Sequence, residues 1–290
     1  MTIKTVLTPI LTESSVSCGL ETAFALGEAF ESHIVGFHLR RTPDVSALYG
    51  YYAQAPAYLA ENIDAYKEAS NKRAKDLRAM FDDACAKRGA PVILPSDHKD
   101  AGKMTVSWRD EEGPWPSDLA LAGRVADITV LPAFEGDAPP SYSEVLETML
   151  FESGRPALIA GEGDLTKAPK TIAIGWNGGL EASRAMKAAM PFVKRAHRVI
   201  VLSVDEGGWR GPDSEEAVSY LKMHGVNAIA DHVSRVDDST GKVLLAAARE
   251  RDADLLVAGA YSHNRLREMI LGGVTRDLSR QTELPVLLAH

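Results

Sequence analysis

The sequence predicts an α/β protein built as two tandem, Rossmann-like, doubly wound domains, each with a five-stranded parallel sheet. Strand-length apolar runs alternate with helical patterns of Ala and Leu, and equivalent segments recur in the same order in both halves. Lys4-Thr5-Val6-Leu7-Thr8-Pro9-Ile10 opens the first copy and Lys170-Thr171-Ile172-Ala173-Ile174-Gly175-Trp176 the second. Helical patterns follow over Leu20 to Phe30 and Leu180 to Val193. Second strands follow at His33 to Phe37 and Arg198 to Leu202. Ala126-Asp127-Ile128-Thr129-Val130-Leu131-Pro132 matches Ala253-Asp254-Leu255-Leu256-Val257-Ala258-Gly259. The last strands are Pro156 to Ala160 and Pro285 to Ala289. Each copy therefore reads as β-α-β-α-β-α-β-α-β. Right-handed crossovers between buried parallel strands then give the doubly wound sheet.

The boundary is expected near Gly161 to Lys167, where polar residues cluster around Gly163 and Pro169 follows; this divides the chain into 1–165 and 166–290. The first copy is about 39 residues longer between equivalent points, Thr5–Asp127 against Thr171–Asp254. The surplus is placed at Arg40 to Tyr58, rich in Tyr and Pro, near Pro91 to Lys103, and in a long second helix, about Leu59 to Arg88. The Tyr group at 49–58 reads as packing of the insertion on its own domain or as a partner patch. An apolar strand left at a sheet edge invites pairing, and each copy's last strand is such an edge, so the two are expected to pair with each other.

A hydrophobic content of 45%, a charged content of 25% and a formal net charge of −8 fit a globular protein without a nucleic-acid or anionic-membrane partner. Two cysteines, Cys18 and Cys85, make no disulfide framework and read as packing residues in a reducing cytoplasm. The N-terminus runs directly into a strand pattern, and no apolar run is long enough to cross a bilayer.

The segment from Ala258 to Thr275 carries most of the functional signal. A buried strand ends at Gly259, a loop follows, and Gly272-Gly273 opens a helical stretch from about Val274 to Gln281. Small residues there allow a backbone to approach an anion, and a helix start offers free N–H groups. Read alone, these glycines also suit a strand-end turn and a helix start, with Arg265 and Arg267 solvated. The segment resembles the nucleotide loop of the universal stress protein family: Gly, two residues, Gly, nine residues, Gly, then Ser or Thr. Gly259 and Gly272 keep their places; Ser262 stands for the second Gly and Gly273 for the Ser or Thr. His263, Asn264 and Arg265 would flank a polyphosphate, and Val274 and Thr275 follow at the helix start, Thr275 offering a hydroxyl.

The resemblance implies further assignments. Asn177, in Gly175-Trp176-Asn177-Gly178-Gly179, stands where nucleotide-binding members carry Asp beside the adenine and ribose. Its residue-level reading is an Asx turn or helix cap. Val204, just past the second strand, matches the place where the adenine rests. In the first copy Pro132 replaces Gly259, Glu135 and Asp137 occupy the loop, and the helix start near Leu150-Phe151-Glu152 has no glycine pair, so no nucleotide is expected there. The tandem chain is expected to mimic the family's homodimer and could dimerise again.

Other chemistry is scarce. GxxxxGK[ST], GxSxG, HExxH, paired CxxC, SGGxDS and HxGH patterns are absent, and the eight His are dispersed. Asp238-Ser239-Thr240 reads as the cap of a helix running to about Arg251. No catalytic or metal-binding residues are assigned, and any ATP hydrolysis would be slow. The expected function is a cytoplasmic stress-response binding protein holding ATP, ADP or AMP, with Mg if a triphosphate, in its second domain as a switch for an unknown protein partner. The alternative is a nucleotide-free interaction or scaffold protein of the same fold.

Overall fold

The computed structural model describes residues 2–42, 56–94, 103–133, 140–161, 165–204, 211–234, 238–261, 273–280 and 283–290. The first half runs β1 (Thr5–Pro9), a π-helical turn (Ser15–Gly19), α1 (Leu20–Phe30), β2 (His33–Arg41), α2 (Pro56–Arg88), β3 (Thr105–Gly113), α3 (Ser117–Gly123), β4 (Ile128–Leu131), α4 (Pro140–Glu152) and β5 (Ala157–Ile159). The second runs β6 (Thr171–Gly175), α5 (Leu180–Ala188), α6 (Met190–Val193), β7 (Arg198–Val204), α7 (Ser214–Met223), β8 (Ala228–Val233), α8 (Thr240–Glu250), β9 (Leu255–Gly259), α9 (Gly273–Ser279) and β10 (Val286–Ala289).

All ten strands form one sheet in the order β3-β2-β1-β4-β5-β10-β9-β6-β7-β8. Read outward from the middle, the halves have the same order. Every pairing within a half is parallel. The expected seam is present: β5 and β10 pair antiparallel, with Leu158 opposite Leu287. Each would otherwise leave a row of unpaired N–H and C=O groups at an apolar edge.

Strand alternation divides the core into two layers. Val6, Ile172, Ile174, Val199, Val201, Leu255, Val257 and Leu287 face α1, α2, α5 and α7. Their neighbours Leu7, Ala173, Ile200, Leu202, Leu256, Ala258 and Leu288 face α3, α4, α8 and α9. Both layers run unbroken across the seam. Gly36 on β2 shows how closely α2 packs: a Cβ there would lie 2.4 Å from the Phe81 ring. Phe81 is fully buried and lies 5.0 Å from the Trp108 ring.

The repeat holds at the level of single hydrogen bonds. The Asp127 carboxylate accepts from the N–H groups of Lys4 and Thr5 at 2.7 and 3.0 Å, and Asp254 accepts from Lys170 and Thr171 at 2.6 and 2.9 Å. In each half a carboxylate before the fourth strand ties down the start of the first.

The sequence-based boundaries differ in places. The helix expected over Leu180 to Val193 divides into α5 and α6, because Pro191 has no N–H to continue the ladder. Leu150, Phe151 and Glu152, expected to open a helix, instead close α4, which starts at Pro140. The connection after β4 spans eight residues against thirteen after β9, so the helix comes sooner. Val204 is the last residue of β7. In the first half's insertions, α2 is described from Pro56, and Val92 makes a single parallel bridge to Val106. The Tyr group at 49–58 lies outside the residues whose side chains are described.

The seam is reinforced on both faces. On one, Phe30 meets Phe192 edge-on at 5.3 Å, and the Arg195 guanidinium donates to the Ala29 carbonyl at 2.6 Å. On the other, Phe151 packs on Tyr261 and His290 with ring centroids 4.7 and 4.3 Å apart. A Cβ on Gly161 would lie 2.4 Å from the Leu284 carbonyl carbon, where backbone cannot yield. Gly161→Ala is therefore expected to cost about 1–3 kcal/mol, read as a lower urea midpoint. Burial, with the Asp82 carboxylate beside it, pushes the Cys85 thiol up to about 11 against a weaker pull from Arg78. Alkylation of Cys85 in the folded protein at pH 8 should run on the order of 100-fold slower than in urea.

Candidate functional site

Strand β6 has β7 on one side and β9 on the other. The chain leaves β6 in one direction and returns on the opposite flank, so the connections after β6 and β9 part at their carboxyl ends. This is a topological switch point, where open α/β sheets hold ligands. Asn177, Val204 and Gly259 lie at the carboxyl ends of these three adjacent strands, brought together from positions 27 and 55 residues apart in sequence.

The connection after β6 is held closely. The Trp176 N–H donates to the Leu202 carbonyl at 2.8 Å, extending the sheet by one residue. Its buried indole donates to the Pro212 carbonyl at 3.0 Å, which draws the start of α7 over the strand end. Asn177 Oδ1 accepts from the Gly179 N–H at 3.0 Å, closing an Asx turn whose middle residue, Gly178, has φ +60°. That conformation favours glycine. A Cβ on Gly211 would lie 2.7 Å from the Gly178 carbonyl oxygen, so the two loops touch. After its Asx turn the half-buried Asn177 keeps its amide donors and a second Oδ1 lone pair.

Gly259 closes β9 against the first turn of α5. A Cβ there would come within 2.6 Å of the Ala182 nitrogen and 2.7 Å of the Glu181 carbonyl carbon. The residue is thus fixed as glycine by a helix–strand contact. Gly273, the first residue of α9, is exposed, and a Cβ there would meet nothing within 4 Å. Val274 is half-buried and Thr275 is 1% exposed, its side chain turned into the fold. Helix α9 is seated on α8: Gly241 approaches Val274, and the Ser239 hydroxyl donates to Asp277. Ser239 also caps α8 by accepting from the Lys242 N–H, as its sequence context predicts. Ser262 and Gly272, with His263, Asn264 and Arg265, lie outside the described residues. Val204 is half-buried and packs on the second core layer.

The first half differs at the matching points. The Ile10 N–H donates to the Phe37 carbonyl at 2.8 Å, as Trp176 does to Leu202, so Leu11 stands where Asn177 stands and Leu39 where Val204 stands. Pro132 follows β4 at the place of Gly259.

Residues 169–290 match the sequence model described as the Universal stress protein family. The second half is thus similar to universal stress protein domains. The whole chain also shares its fold with solved structures. A universal stress protein from Archaeoglobus fulgidus DSM 4304 is similar with a TM-score of 0.65 at 16% identity, over 99% of this chain and 96% of that one. A functionally unknown protein from Pseudomonas aeruginosa PAO1 is similar with a TM-score of 0.53 at 14% identity, over 99% and 92%. No curated protein matches the chain. The tandem, all-parallel halves and their joining through the last strands are those the sequence predicts.

One cluster had no sequence signal. Tyr261, two residues beyond Gly259, has φ +60°, and its hydroxyl faces the Glu147 carboxyl on α4 of the other half without a well-aligned hydrogen bond. The His290 ring hydrogen-bonds the Ala260 carbonyl at 3.0 Å. These contacts tie the start of the 262–272 connection to the first half. Burial pushes the Glu147 carboxyl up, Tyr261 pulls it partly back, and Glu144 adds to the rise. A carboxyl raised in the folded state binds its proton more tightly there, so the stability it contributes is fully present below the unfolded pKa and is lost as pH rises through the folded one. Glu147→Gln should flatten urea stability against pH from about 4.3, the unfolded value, to the raised native one. Asn177→Ala should cost about 1 kcal/mol by removing the Asx turn at the start of α5.

Proposed function

We propose that the second half binds an adenine nucleotide, ATP, ADP or AMP, in the crevice at the carboxyl ends of β6, β7 and β9, and that the chain acts as a stress-response binding protein. The observation that carries this is the switch point, with Asn177 and Gly259 on either side of it. Asn177 keeps hydrogen-bonding capacity for an adenine or ribose after its Asx turn, and Val204 offers an apolar edge for a base. Gly259 lets the backbone run close beneath the ligand, and the 262–272 connection with its Arg265 would flank the phosphates. A triphosphate would bring Mg with it. The chain's own residues supply binding and orientation here; no general base is assigned.

The same reading gives the nucleotide a signalling role. Tyr261 follows Gly259 and Ala260 directly and packs against Phe151 of the first half, so a ligand that reorders the connection also works on the seam. A protein partner in the cytoplasm, reading that surface, would sense the bound state.

A second reading is favoured by two contacts. The Gly259–α5 approach and the Asn177 Asx turn account for both residues without a ligand, which suits a nucleotide-free interaction protein. The readings separate by experiment. Mass spectrometry of ligand released by acid from the purified chain, then titration calorimetry, should find adenine nucleotide or one site per chain. Ser262→Gly should then tighten binding and Asn177→Ala should weaken it about tenfold or more. No ligand, and no heat with ATP, ADP or AMP in either the parent or the Ser262→Gly protein, would favour the nucleotide-free reading.

A further inference from the structure

We propose that the first half holds a separate small-molecule site, a cavity for an amphipathic organic monoacid: a carboxylate on an apolar body that also carries a hydroxyl. The cavity measures about 820 Å³ and lies under α2 at the carboxyl ends of β1 and β2. That volume is within the usual range for small-molecule sites, roughly 300–1,000 Å³.

Its lining holds both apolar and charged residues. Leu39, Leu77, Met80 and Trp115 supply the apolar part. Arg41, Lys72 and Arg73 supply the positive charge. Arg73 spends one N–H on the Leu11 carbonyl at 2.9 Å, while Arg41 and Lys72 form no ion pair among the described residues. Arg40 differs: Asp110 and Asn71 hold its guanidinium at 3.0 Å each, making it a strut. Such a group of cations stands out in a chain of net charge −8. Glu13 and Asp76 also line the cavity and oppose a polyanion, so one negative charge suits it better than a polyphosphate.

His38 adds a directional contact. It is 5% exposed, and its Nδ1 lies 2.7 Å from the Ile10 carbonyl oxygen, which can only accept. In the neutral ring Nδ1 therefore carries the proton and Nε2 keeps its lone pair. Among the described residues Nε2 has no hydrogen-bond partner, and His38 lines the cavity. A ligand hydroxyl donating to it gives that lone pair a directional partner.

The cavity lies at the first half's counterpart of the nucleotide crevice, with Leu11 and Leu39 in the places of Asn177 and Val204, but its chemistry differs. Leu11 replaces the polar Asn177, and among the described residues none of β4 or α4 lines the cavity. The cations come instead from the end of β2 and from α2, on the flank away from Pro132.

The test is titration calorimetry of the full chain with 4-hydroxybenzoate, benzoate, 10-hydroxydecanoate and decanoate, with inorganic phosphate and ATP as controls. The aromatic and aliphatic pairs distinguish the two sources of the same chemistry. One hydroxy acid should bind one to one, more tightly than its parent acid, with affinity falling as salt rises. The Arg41→Ala/Lys72→Ala double variant, altered only at exposed side chains, should weaken binding tenfold or more with an unchanged urea midpoint. His38→Phe should erase the preference for the hydroxyl. Asn177→Ala should leave acid binding unchanged, which keeps this site distinct from the second half's crevice. No heat from any of the four acids, equal affinity in the double variant, or displacement of the acid by phosphate overturns the proposal.

Discussion

The antiparallel pairing of β5 with β10 is the constraint on which the rest depends. Both strands are short, apolar and fully buried. A parallel sheet can end safely only if its edge is covered, and two copies of one fold on one chain cover each other's. The pairing also continues two core layers across the seam, so each half helps to bury the other's apolar surface. Antiparallel order suits the symmetry: in a twofold-related pair the same edge of both copies meets itself, running in opposite directions.

Within each half, the architecture rests on a few close approaches that only particular residues permit. Asp127 and Asp254 each hold the start of a first strand through two N–H groups. Gly36 admits the Phe81 ring, and Gly259 admits the first turn of α5. The last case matters most for function. The helix–strand contact by itself requires the missing side chain, and it falls at the edge of the candidate ligand crevice.

Two copies of one sheet need not carry equivalent sites. In the second half the strand ends keep a polar residue, Asn177, beside Gly259. In the first, Leu11 and Pro132 take those places, and α2 instead brings cations over the ends of β1 and β2. The shared sheet and seam rest on strand residues rather than on the connections, so the connections of the two copies are free to differ. The Tyr261, Phe151, Glu147 and His290 contacts join the chain just beyond β9 to the first half.

The sequence by itself determined the repeat, the order of strands and helices, the parallel sheets and the pairing of the last strands. Those follow from periodic apolar patterns and from the cost of an open edge, both local or nearly so. Gly259 stood out as a glycine at a strand end, whereas Asn177 and Val204 were marked only by the family resemblance. Other features depended on which elements come together. The division at Pro191 and the early start of α4 depend on connection length and one missing N–H. The contact of Gly259 with α5, the left-handed Tyr261 facing Glu147, and the cations gathered with His38 under α2 belong to the tertiary structure alone. Each joins residues distant in sequence, and no spacing along a chain encodes a distance across a fold.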